Sequence, residues 1–91
     1  MKECYVRMVK ESHHWKGSIE LFGFDEYQRR VYPSPPQMVY EVHGKPATRI
    51  LDSIRSFLAA NKEYNATHIV RNGSEKLLGF FSVPLSKGIE E

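Results

Sequence analysis

The sequence has little of what marks a secreted, membrane-bound or cofactor-bearing protein. Cys4 is its single cysteine, so no internal disulfide and no cysteine-based zinc site is available, and a reducing compartment is the natural reading. No apolar run approaches the ~18 residues of a membrane span. Lys2 and Glu3 place charge where a secretory leader needs an apolar stretch. A soluble, cytoplasmic protein is therefore expected, in which the sequons at Asn65 and Asn72 carry no meaning for glycosylation. Charge of one sign is also missing. Lys and Arg number 13 against 11 Asp and Glu, a net +2, short of the local excess with which a protein neutralises many phosphates.

Catalytic signatures are absent as well. There is no phosphate-cradling glycine loop and no Gly-x-Ser-x-Gly elbow. Cys4 with a histidine lacks an orienting group and an oxyanion site in the order of residues, and at a strand start it reads as a small buried hydrophobe. His13 and His14 are adjacent and point in different directions on an extended chain. His43, His68 and the scattered carboxylates add no recognisable ligand spacing. The expectation is a protein without catalytic residues, metal or cofactor.

What is present suits one folded unit spanning residues 1–91. The composition is 41% hydrophobic, 12% aromatic and 26% charged, which matches a globular domain, and 91 residues suffice for a single core. Alternation of apolar and polar positions predicts strands at 3–10, 19–24 and 37–43, with the polar stretch 11–17 as a long loop carrying Trp15. Residues 27–32 form at best an edge strand, and Pro33, Pro35 and Pro36 exclude residues 33–36 from a sheet interior. Pro46 opens a helix that runs to Lys62 or Glu63, with Ala47, Ile50, Leu51, Ile54, Phe57, Leu58 and Asn61 as its inward stripe. Strands at 67–71 and 76–83 follow, joined by a turn at Asn72 and Gly73.

The pattern predicts an α+β fold: one mostly antiparallel sheet of about five strands packed against a single helix, in the order β-β-(β)-β-α-β-β. Five strands ~4.8 Å apart make a sheet roughly 24 Å wide, whereas a helix with its side chains is only ~10–12 Å across. Part of the sheet is expected to need another cover. The last strand is apolar on both faces, and Leu78 and Phe80 are expected on the uncovered side.

These observations favour a small protein-binding module acting as an inhibitor, adaptor or regulatory subunit, with a protein partner or a second copy (a homodimer) as its target. The chain has the size of the small accessory proteins with which phages and mobile elements block host enzymes. Trp15, Tyr27, Arg29, Arg30, Tyr32, Leu78 and Phe80 are the expected contact residues, since Trp, Tyr and Arg dominate binding hot spots. The alternative is an RNA- or single-stranded-DNA-binding module, in which Arg29 and Arg30 reach phosphates while Tyr27 and Tyr32 stack on bases. Asp25 and Glu26 beside that segment oppose it.

Overall fold

Side-chain alternation along the first strand sets the two faces of the fold. In β1 (Lys2–Glu11), Cys4, Val6 and Met8 point one way and Tyr5, Arg7 and Val9 the other. A computed structural model describes residues 2–72 and 81–84. Its further elements are β2 (His14–Leu21), β3 (Gly23–Phe24), β4 (Arg30–Val31), β5 (Gln37–Gly44), α1 (Ala47–Ala60), β6 (Tyr64–Asn72) and β7 (Phe81–Pro84). The main sheet runs β5-β2-β1-β6-β7, antiparallel throughout except for the parallel pair β1 and β6. This is one helix on a mostly antiparallel sheet, as the periodicities predict. The parallel pair follows from α1, because a parallel neighbour needs a crossover that a short hairpin cannot provide.

One face of the sheet meets the helix. Cys4, Val6, Met8, Ile19, Ile50, Ile54 and Ile69 form a buried cluster, flanked by Trp15, Leu21, Tyr40, Val42, Phe57 and Leu58. The helix rests mainly on β2 and β5 and also touches β6. Its fully buried side chains are Ile50 and Ile54, while Phe57 is half-buried with its ring stacked 4.4 Å from that of Tyr40.

Four expectations are corrected. The long loop at 11–17 is a tight turn at Ser12 and His13, because Glu11 already pairs with His14; Ser12 takes a positive φ of 35°. The second strand therefore begins at His14 and closes at Leu21, five residues before the expected start. Its alternation is hidden by Gly17. A Cβ at that position would lie 2.4 Å from Ile50 Cγ2 and 2.8 Å from Ile54 Cδ1, so an inward position that should read as apolar reads as glycine. Residues 27–32 do not join the sheet. Only Arg30 and Val31 extend, pairing with Phe24 and Gly23 as a separate ribbon.

The helix is also shorter than its stripe predicts. Pro46 stands just outside it in an extended conformation, its carbonyl accepting from the Arg49 and Ile50 amides. At the other end Asn61 turns back, and both its backbone and side-chain N–H groups donate to the Phe57 carbonyl, at 2.9 and 2.8 Å. A side-chain amide that satisfies a terminal carbonyl ends the helix where an apolar residue would have continued it. The predicted turn at Gly73 and most of the predicted last strand, with Leu78 and Phe80, lie outside the described residues.

Gly17→Ala is expected to destabilise the fold by about 1–3 kcal/mol, because the added methyl overlaps branched side chains held in a dense core. Urea denaturation checks this, and an unchanged midpoint would show that the helix does not approach β2 as closely as these distances require.

Candidate functional site

Between β2 and β5 the chain leaves the main sheet for residues 22–36. Gly23 permits the departure: Pro33 closes on it, and an added Cβ would sit 3.2 Å from Pro33 Cβ. Asp25 then builds the tip. Its Oδ1 accepts the amides of Tyr27 and Arg29 at 2.8 and 2.9 Å, and its Oδ2 accepts from Arg29 Nε at 3.0 Å. Its carbonyl accepts the Gln28 amide at 3.0 Å, with Gln28 at a φ of 64°. An aspartate that bonds amides two and four residues on reinforces the backbone turn with its own side chain. The Arg29 amide, with those of the neighbouring contacts, holds the Asp25 carboxyl below its ordinary range.

The excursion is fastened to the sheet by rings and one ion pair. Tyr5 lies 4.9 Å from Phe22 and 4.7 Å from Tyr32 between ring centroids, and Phe22 and Tyr32 stack on each other at 5.7 Å. Arg30 Nη1 meets Glu3 Oε1 at 2.7 Å and lies over the Phe22 ring. The excursion is thus what covers Tyr5 on the sheet face away from the helix. The face of the sheet opposite the helix is partly roofed by the chain itself.

The excursion shows solvent a mixture of apolar and charged side chains, Arg29 and Arg30 among them. Among the described residues, the exposed large hydrophobic side chains are Phe24, Tyr27, Val31, Tyr32 and Met38, with Tyr27 at 69% and Phe24 at 60% exposure. All five fall within residues 24–38. Of the expected contact residues, Tyr27, Arg29, Arg30 and Tyr32 are brought together here. Trp15 is not. It sits on β2, half-buried against the core, six residues and roughly 20 Å of extended strand away from Leu21, where the excursion starts. Phe24 and Val31 were missed by sequence reasoning, because alternation says nothing about whether an extended segment joins the sheet, and Met38 because a shift in register between Tyr40 and Met38 sets it opposite Glu20, off the face of Tyr40 and Val42.

Under the excursion lies a buried polar group. Tyr5 faces Glu20, and Arg7 faces Ser18, across β1 and β2. Glu20, 2% exposed, accepts from Tyr5 Oη at 2.6 Å, from Ser18 Oγ at 3.0 Å and from Arg7 Nε at 3.1 and 3.2 Å. A carboxylate whose oxygens accept from three side chains is directed at the chain itself and fixes this face of the sheet. Burial first, and then the bond to Glu20, pushes the Tyr5 hydroxyl up to about 12. The Cys4 thiol is likewise pushed up to about 11 by burial, as expected of a small core residue.

No protein-family model, curated protein or solved structure matches the chain.

A third cluster sits at the opposite end of β2 from the excursion. The turn at Ser12 and His13 sets Glu11 beside His14, and the pairing of β2 with β5 brings His43 next to them. His14 Nε2 lies 3.2 Å from Glu11 Oε1, His43 Nε2 lies 2.5 Å from Glu41 Oε2, and the two imidazoles are 5.7 Å apart. Sequence spacing hides this set, since its histidines stand 29 residues apart in number, on strands that only the sheet register joins.

Proposed function

We propose that this chain is a small, non-catalytic protein-binding module, acting in the cytoplasm as an inhibitor, adaptor or regulatory subunit through the surface of its 22–36 excursion and Met38. The carrying observation is the concentration of all the exposed large hydrophobic side chains among the described residues in one stretch, 24–38. Tyr, Phe, Met and Arg are the residues enriched in interface cores, and an anchor presented on a tip already fixed by Asp25 loses little freedom on binding. Charge points the same way. Arg29 is paired with Asp25 and Arg30 with Glu3, so the guanidinium groups that would meet phosphates are already opposed by carboxylates, while a protein partner needs only local complementarity.

The test compares wild type with a Phe24→Ser, Tyr27→Ser double variant. Affinity capture from native cells should yield one stoichiometric protein partner that the double variant loses, and light scattering will show whether that partner is a second copy. Fluorescence anisotropy with labelled RNA and single-stranded DNA at two salt concentrations supplies the opposing arm. Micromolar, salt-sensitive binding that disappears in an Arg29→Ala, Arg30→Ala double variant, with a salt slope flattened by somewhat less than two, would replace this reading with nucleic-acid binding.

A further inference from the structure

We propose that Glu11, His14 and His43 form a binding site for a divalent transition metal of the zinc class, which staples the β1–β2 turn to β5 at the edge of the sheet. Donor atoms of these three side chains lie within 4.8 Å of one another. Two imidazole nitrogens and a carboxylate oxygen are the donor set that zinc takes at ~2.0–2.2 Å. Ligand atoms around a tetrahedral zinc are then about 3.3 Å apart, close to the 3.2 Å that separates His14 Nε2 from Glu11 Oε1. His43 completes the set with a movement of about 1.5 Å or less, open to it as an exposed side chain.

The surroundings fit the same ion. Glu41 Oε2 is bonded to His43 Nε2, and with the metal on the other ring nitrogen, Nδ1, that contact is the carboxylate acceptor that orients a ligating imidazole. Lys16 is the opposing charge. Its Nζ lies 3.8 Å from Glu11 Oε2, the oxygen that His14 does not use, so a metal displaces no direct Lys16 contact from Oε1. Two nitrogens with carboxylate favour zinc, nickel or copper over magnesium and calcium, which prefer oxygen alone. The site lies at the far end of β2 from the excursion, and its occupancy is independent of what the excursion binds.

Zinc titration followed by thermal unfolding and by calorimetry of the whole chain decides the matter, with cobalt substitution reporting coordination through its visible absorption. One equivalent of zinc should bind and raise the melting temperature, because an ion that binds only the folded state stabilises it. His14→Ala and His43→Ala should each weaken binding by about ten- to a hundredfold or more, since even outer partners of a metal ligand carry that much. His13→Ala, in the same turn and outside the set, should leave it unchanged, and magnesium should not substitute. Circular dichroism of each variant before titration confirms that it is folded, and His43→Gln repeats the test at the most exposed ligand. Absence of stoichiometric zinc binding, an equal loss in His13→Ala, or unchanged affinity in the folded His43 variants would each overturn the site.

Discussion

Glu20→Ala is expected to destabilise the protein by about 3–5 kcal/mol, the range for removing one partner of a buried ion pair. The change strips Tyr5, 0% exposed, and Ser18, 1% exposed, of their shared acceptor, and a buried hydroxyl that loses its partner costs about 1–3 kcal/mol. Arg7 loses an ion pair as well, but its partial exposure lets water replace part of it. Total stability for a domain of this size is only about 5–14 kcal/mol, so the variant should unfold at much lower urea. Glu20→Gln should lose less, because the amide oxygen still accepts from a hydroxyl. Tyr5 adds a dependence on alkaline pH. Its hydroxyl is raised from 10.0 to about 12 in the fold, so the folded state holds the proton more tightly. The stability this contributes is complete below pH 10 and is lost as the pH rises towards 12, a decline that Tyr5→Phe should lack. Urea melts of Glu20→Ala within 1 kcal/mol of wild type would mean that the carboxylate reaches water.

Ile54→Ala should cost about 2–5 kcal/mol, from lost burial and from the cavity left under the helix. Ile54 is 0% exposed, and its Cδ1 fills the space above Gly17, where no side chain on β2 can collapse into the void. The position thus belongs at the upper end of that range. Phe57→Ala should fall below the ~3–5 kcal/mol of a fully buried aromatic, because Phe57 keeps part of its surface in water and leans on Tyr40. Ser56→Ala, on the exposed side, is the control. Denaturant midpoints rising in the order Ile54→Ala, Phe57→Ala, Ser56→Ala would confirm the phase of the helix, and any other order would rotate it.

The periodicities in the sequence mark β1, β5 and α1 to within a few residues, because apolar residues recur in each at strand or helix spacing, although a shift in register takes Met38 off the face of Tyr40 and Val42 in β5. They fail at β2, where the inward residue is glycine, and at the end of α1, where Asn61 looks like stripe and acts as a cap. Residues 27–32 mislead for a different reason. Their Arg and Tyr content was legible as a contact surface, but alternation cannot say whether an extended segment pairs with the sheet or rides over it.

Composition and pattern alone determined that the described residues pack a helix on a mostly antiparallel sheet, since local periodicity and burial of apolar surface act over a few residues at a time. Tertiary structure decided everything that depends on register. Pairing of β1 with β2 placed Tyr5 and Arg7 beside Ser18 and Glu20, pairing of β2 with β5 placed His14 beside His43, and the departure at Gly23 left Phe24, Tyr27, Val31 and Tyr32 exposed off the main sheet. A shift of one residue in either pairing would send these side chains to the other face, and register is set by contacts between segments that the linear order does not reveal.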